Sequence, residues 1–150
     1  MGKSKSYNRS PVVLTAEMID KMVSAVRTWI PSATALYVFG SAANGSMNPE
    51  SDIDLAILVN SDGDLDAETA FQLKTDLAAL FKRDVDLVDM LIADDVTRAQ
   101  VITTGRLVMC ADANRCAVFE TAALAKYANL NEERREILED IKKRGSIYGR

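Results

Sequence analysis

The sequence predicts an α/β or α+β fold, a small sheet backed by helices. Three observations predict it. Short apolar runs at 35–39, 53–59 and 85–90 have the length of strands. Longer stretches around them carry apolar residues at helical spacing. The two kinds alternate along the chain, which suits a sheet with helices packed against it. The order alone does not fix which strands pair.

Thr15 is placed to cap a helix from Ala16 to about Ile30, whose apolar face is Ile19, Met22, Val23, Val26 and Ile30. Pro31 ends it. Ala35 to Phe39 reads as a buried strand stopped by Gly40, and a polar stretch from Ser41 to Ser51 follows. Ile53 to Val59 is the second strand. A turn at 60–64 leads to a helix from about Asp66 to Phe81, with Leu73, Leu77, Leu80 and Phe81 as its core face. Val85 to Met90 is the third strand. Asp94 or Asp95 can cap the next helix, which Gly105 closes as a C′ residue. Arg106 to Cys110 makes a short fourth strand. Two helices are expected to finish the chain. Asp112 caps the first, with Phe119 and Tyr127 buried, and Asn131 caps the second, running through Glu132 to Arg144. Residues 1–11 are expected to be a flexible basic tail before a single domain at 12–150.

Composition narrows the chemistry. Of 150 residues, 48% are hydrophobic and 27% charged, an ordinary globular balance that needs no disulfide or structural metal. The absence of histidine excludes His-based acid–base catalysis, Ser-His-Asp triads and most zinc sites. Cys110 and Cys116 lack metal-ligand spacing and a neighbouring base, so they read as thiols of a reducing compartment. No apolar run approaches the ~20 residues that span a bilayer, so no membrane association and a cytoplasmic location are expected. The net charge of −4 is uneven, with both ends basic and the middle strongly acidic. That distribution argues against direct nucleic-acid binding and for carboxylates gathered around divalent cations.

Residues 40–55 carry the first part of that gathering. Gly40-Ser41 ends a strand, ten residues intervene, and Asp52-Ile53-Asp54 opens the next strand. Side chains alternate along a strand, so Asp52 and Asp54 share a face. Two adjacent carboxylates repel, and a shared divalent cation resolves the repulsion. Gly40 permits a tight turn and a close backbone approach to a phosphate. If a helix starts at Ser41, its free N–H groups favour a triphosphate. Asp86 lies within an apolar strand, an awkward place for a charge unless it meets a cation. With Asp52 and Asp54 it would complete a two-metal site. Singly, each piece has a plainer reading as a turn or a solvent-facing carboxylate. Together, in this order, they point to catalysis.

The stretch Gly40-Ser41, ten residues, Asp52-Ile53-Asp54-Leu55 resembles the signature of the DNA polymerase β-like nucleotidyltransferase superfamily. The strand around Asp86 resembles the place of its third carboxylate. A likeness to minimal nucleotidyltransferase (MNT) antitoxins covers most of the chain. It continues through 101–108 and a tail with Phe119, Tyr127, Arg134-Arg135 and 145–149. The resemblance implies a small mixed sheet of that type. It implies two Mg²⁺ ions held by Asp52, Asp54 and Asp86, with Asp86 on the ion that activates the incoming hydroxyl. It implies ATP as substrate, its β- and γ-phosphates held by Ser41 and the Gly40 backbone. It also implies transfer of AMP to a tyrosine of a HEPN ribonuclease toxin, the all-helical partner of such antitoxins. Many relatives carry arginine just after Gly-Ser, where this chain has Ala42 and Asn44, so this loop offers the triphosphate no side-chain cation. Two other readings remain open. One is a binding module that neutralises a partner by covering it. The other is a nucleotidyltransferase acting on a small molecule such as an antibiotic.

Overall fold

The computed structural model of the protein describes residues 14–45 and 50–148, the last four in backbone only. The tail expected at 1–11 and residues 46–49 of the polar stretch lie outside the described residues. The elements in order are α1 (Ala16–Trp29), β1 (Ala35–Phe39), α2 (Ser41–Asn44), β2 (Ile53–Leu58), α3 (Ala67–Phe81), β3 (Val85–Asp89), α4 (Asp95–Thr104), β4 (Arg106–Cys110) and α5 (Ala113–Tyr148).

The four strands form one mixed sheet in the order β3-β2-β1-β4. β1 is antiparallel to both β2 and β4, while β2 and β3 are parallel. A parallel pair needs a crossover, and α3 supplies it. Alternation along the strands divides the core into two layers. Leu36, Val38, Ile53, Leu55, Ile57 and Val85 face α1 and α3, where Met22, Val26, Leu73 and Leu77 are fully buried. Ala35, Tyr37, Ala56 and Leu58 face the other way, with Val101 of α4 and Cys116 of α5. Each large aliphatic side chain buried in these layers contributes roughly 1.5–3 kcal/mol.

The helix starts follow side-chain caps. Thr15 Oγ1 accepts from Met18 N at 3.1 Å, Asp66 Oδ1 from Thr69 N at 2.8 Å, Asp94 Oδ1 from Thr97 N at 2.7 Å and Asp112 Oδ1 from Arg115 N at 3.1 Å. Asp94, not Asp95, is therefore the cap of α4.

Four expectations need correction. The two C-terminal helices are one helix, α5, of 36 residues. Between Ala113 and Arg144 there is no proline or glycine. Asn131 lowers helix propensity by at most ~0.7 kcal/mol, too little to break a helix already formed on both sides. Gly105 closes α4, yet with φ −85° it is not left-handed. It is glycine because a Cβ there would lie 2.3 Å from Val101 O and 3.0 Å from Val38 O. Leu80 is 47% exposed and not part of the core. Phe119 and Tyr127 are only half-buried, because α5 leaves the sheet after its first turns.

Candidate active site

The expected site residues converge at one end of β1, β2 and β3. β1 ends at Phe39, whose register partner on β2 is Asp54. The chain then turns through Gly40, with φ 70° and ψ −147°, into the short helix α2. That conformation is essentially restricted to glycine. The turn also passes so close to β2 that a Cβ on Gly40 would lie 2.5 Å from Asp54 Oδ2. Ser41 is the first residue of α2, where backbone N–H groups lack intrahelical partners.

On its other side Asp54 is the register partner of Asp86 on parallel β3. Neighbouring strands are about 4.8 Å apart, so the two side chains rise next to each other from one face. Asp52, just before β2, points to the same side by alternation. Burial raises the Asp54 pKa above its ordinary value, and the charges of Asp86 and Asp52 and a hydrogen bond with Asp86 push it the same way. The expectation that Asp86 is the charge in an apolar setting is reversed. Asp86 and Asp52 are exposed, and Asp54 is the partly buried member. β3 is an edge strand, so its alternate side chains reach solvent even though its sequence is apolar.

Among the described residues no lysine or arginine is ion-paired with any of the three carboxylates. Nor is any group of three His, Cys, Asp or Glu side chains there arranged to hold a metal ion as it stands. The chemistry of the donor set still fits a hard divalent cation. It is a cluster of carboxylates in which Asp54 is pushed toward the protonated form by burial and then by the charges of Asp86 and Asp52, a repulsion that Mg²⁺ relieves.

Other groups fix the geometry and were not singled out for a role from sequence. Ile53 N donates to Asp84 O at 2.9 Å, and Arg83 Nη1 donates to Ser51 O at 3.2 Å. Both bonds tie the start of β3 to the start of β2 and so set Asp86 against Asp52 and Asp54. Tyr37, on the same face as Ala56, donates from its hydroxyl to Glu120 Oε2 at 2.6 Å and ties β1 to α5. An open cleft of about 380 Å³ runs from Asp52 and Asp86 to the exposed side of α3, where Phe71 and Lys74 stand. A larger cleft of about 670 Å³ lies between α1 and β4 and contains none of the carboxylates.

Comparison with known proteins places this arrangement. The family described as polymerase beta nucleotidyltransferase matches residues 29–114, which include Gly40, Ser41 and all three carboxylates. The chain belongs to this family. Within it, the chain is 32% identical over 122 residues to the protein adenylyltransferase MntA of Shewanella oneidensis, covering 81% of this chain and 86% of that protein. A toxin–antitoxin structure with AMP-PNP has a chain 31% identical at a TM-score of 0.71, covering 83% of this chain and 98% of that one. A complex of an MNT antitoxin with a tri-AMPylated HEPN toxin from S. oneidensis gives 30% identity and a TM-score of 0.68, over 84% and 97% of the two chains. The resemblance to minimal nucleotidyltransferase antitoxins holds, and so does the mixed-sheet fold expected from it. Among the described residues no helix is long and apolar enough to cross a membrane.

Proposed function

We propose that the chain, as a single domain over 12–150, transfers AMP from ATP to a tyrosine hydroxyl of a HEPN toxin and thereby acts as its antitoxin. The observation that carries this reading is the Gly40–Asp54–Asp86 arrangement in a chain so similar to an MNT adenylyltransferase. The AMP-PNP complex and the tri-AMPylated toxin of the relatives support ATP as donor and the toxin as acceptor and binding partner.

In this reading the Gly40 backbone and Ser41 hold the β- and γ-phosphates. Asp52, Asp54 and Asp86 would hold two Mg²⁺ ions. Bound there, these supply charge neutralisation at the α-phosphate and a lowered pKa for the attacking hydroxyl. Asp54 sits centrally, between the phosphate-binding turn and Asp86, and Asp86 faces the acceptor side. The acceptor oxygen bonds to the α-phosphorus, and the bond from that phosphorus to its bridging oxygen breaks. Pyrophosphate leaves and the hydroxyl proton passes to water.

The test is incubation of the protein with ATP, Mg²⁺ and a HEPN toxin, followed by intact mass. Addition of AMP to a tyrosine, lost in Asp54→Asn and on chelation of Mg²⁺, is expected. Complex formation without any added AMP would remove the transfer reading. It would leave a second reading, neutralisation by covering. One observation favours a covering role beside catalysis. The second half of α5 carries Ile137, Leu138 and Ile141, each more than half exposed.

A further inference from the structure

We propose that Cys110 and Cys116 are a peroxide-responsive thiol pair, whose oxidation to a disulfide fastens the base of α5 to the sheet. The pair stands apart from the carboxylate site and from adenylyl transfer. Cys110 is the register partner of Ala35 at the start of β1, whereas Gly40 follows the other end of that strand. At about 3.3 Å per residue the two places are roughly 16 Å apart along β1.

The two sulfurs are 3.0 Å apart, so a disulfide needs them to close by only about 1 Å. Cys110 is exposed and Cys116 is buried, which gives an oxidant one point of entry. Cys116 also sits where a bond has leverage. Among the side chains of α5 described from 113 to 144, only Cys116 and Ala123 are buried, and every one from 131 to 144 is exposed. This helix of 36 residues, about 54 Å long, is thus held to the rest of the fold by its first half. One turn beyond Cys116, Glu120 accepts the Tyr37 hydroxyl at 2.6 Å. Cys116 and Glu120 share one face of the helix at i, i+4. A covalent bond at Cys116 therefore fixes the root from which the exposed half of α5 projects.

The oxidant is hydrogen peroxide. The Cys110 sulfur bonds to one peroxide oxygen, the O–O bond breaks, and water leaves with the thiol proton. The Cys116 sulfur then bonds to that of Cys110, the S–O bond breaks, and the hydroxyl leaves with the Cys116 proton as a second water. Together the thiols lose two electrons and the peroxide gains them. Burial pushes the Cys116 thiol up to about 12, so at pH 8 roughly one molecule in 10⁴ carries its thiolate. That scarcity keeps Cys116 from meeting peroxide first. Contact with Cys110 offsets it in the second step, since groups held together react at effective concentrations of about 10⁵ M or more. Thiols that sense oxidants in reducing surroundings form transient disulfides of this kind, and a thiol reductant reverses them.

The test treats the folded protein with hydrogen peroxide, then iodoacetamide, then trypsin, beside Cys110→Ser and Cys116→Ala. Trypsin cleaves after Arg115, between the two thiols, so a disulfide joins peptide 107–115 to peptide 116–126. Monomeric wild type should give that linked pair, and neither variant should. Oxidation should raise the wild-type Tm by roughly 5 °C, dithiothreitol should restore it, and the Tm of Cys110→Ser should not respond. Hydrogen exchange at the amides of 113–124 should slow by at least ~10-fold in the oxidised protein. An oxidised Cys110 with Cys116 still free would overturn the pairing, as would disulfides formed only between molecules. A linked pair with unchanged Tm and exchange would overturn the lock on α5. Cys110→Ser keeps the comparison decisive if Cys116→Ala does not fold, and no arm depends on ATP or on transfer.

Discussion

Gly40 and Asp54 meet across the β1–β2 pair with no room for a methyl group between them, since a Cβ on Gly40 would stand 2.5 Å from Asp54 Oδ2. Gly40→Ala therefore has two separate effects. Its φ of 70° with ψ −147° strains any L-residue by about 1–3 kcal/mol. Its methyl also displaces the central carboxylate, and misplacing a catalytic group by ~1 Å can cost about 10²-fold in rate. Urea unfolding and transfer assays on the same variant should show both losses. Gly45→Ala is the control. Its φ is 79°, so it carries backbone strain, but a Cβ there meets nothing within 4 Å. It should lower stability and leave transfer within a few-fold of wild type.

A second relationship, Asp54 beside Asp86, predicts a trade of stability for function. The Asp54 pKa is raised in the folded state by burial and by like charges. A raised folded pKa means that the native state binds a proton more readily than the unfolded chain does. This term favours folding at low pH and is lost as pH rises through the folded pKa. At neutral pH the ionised Asp54 is thus a net burden on the metal-free fold. Asp54→Asn should raise Tm at pH 7 in the presence of a chelator, and the gain should shrink as pH falls toward the ordinary Asp range. The same variant should be inactive. Thermal melts across pH decide this, and a Tm lower than wild type at pH 7 would contradict it.

The fold was legible where local signals agreed. Thr15, Asp94 and Asp112 marked helix starts because a short oxygen-bearing side chain before an apolar period has few other uses. The Gly-Ser and Asp-x-Asp spacing brought its residues to one place because β1 and β2 are an antiparallel pair joined by that segment. Asp86 stands out in the sequence by its apolar strand, yet the structure leaves it exposed and buries Asp54 instead. The unbroken length of α5 was not legible. An Asn before a charged run has the pattern of a cap, and only continuity of the helix on both sides overrides it. The tie from Arg83 to Ser51 and the Phe71 cleft were hidden because they depend on how β3 sits beside β2 and α3, which pairing order alone decides.

The three aspartates of β3 and its approach should separate by function. Asp86→Asn removes the charge beside Asp54. It should leave ATP binding nearly intact and abolish transfer, since Asp52 and Asp54 remain. Asp89 Oδ1 accepts from Leu91 N at 2.9 Å to form the turn after β3, a bond that an asparagine oxygen can also accept. Asp89→Asn should be mild in stability and in activity. Asp84 contributes its carbonyl to Ile53 N, a backbone bond indifferent to the side chain. Asp84→Asn should therefore keep the fold and most of the transfer activity. Nucleotide binding by calorimetry beside a transfer assay gives the pattern, and a dead Asp84→Asn with an active Asp86→Asn would reverse the assigned roles.

The two thiols should react at very different rates. Cys110 is exposed at the end of β4, and Cys116 is buried in the first turns of α5 with its sulfur 3.0 Å from that of Cys110. Burial, followed by the hydrogen bond to Cys110, pushes the Cys116 thiol up to about 12. The thiolate is the reactive form, so at pH 8 iodoacetamide should label Cys110 first and reach Cys116 only as the protein unfolds. Peptide mapping over time checks this. Early labelling of Cys116 would mean that the start of α5 opens readily from β4.

The last prediction separates modification from covering. The second half of α5 is the docking candidate, with Ile137, Leu138 and Ile141 exposed among Glu132, Arg135, Asp140 and Arg144. Two local ion pairs, Arg135 with Glu132 and Arg144 with Asp140, already occupy those charges along the helix. Exposed pairs of this kind add little energy, so affinity for a partner must come chiefly from the apolar side chains. These are remote in sequence from Asp52 and Asp54, which allows the two functions to be removed independently. The Asp52→Ala/Asp54→Ala double variant should still bind the partner but fail to silence it at substoichiometric ratio with ATP and Mg²⁺. Wild type should silence an excess of partner, because each molecule turns over. Ile137→Glu/Ile141→Glu should weaken binding while leaving ATP binding unchanged. The partner's ribonuclease activity, followed at one antitoxin to ten partner molecules, gives the answer. If the double variant silences as well as wild type under those conditions, covering is the mechanism and the carboxylates serve another reaction.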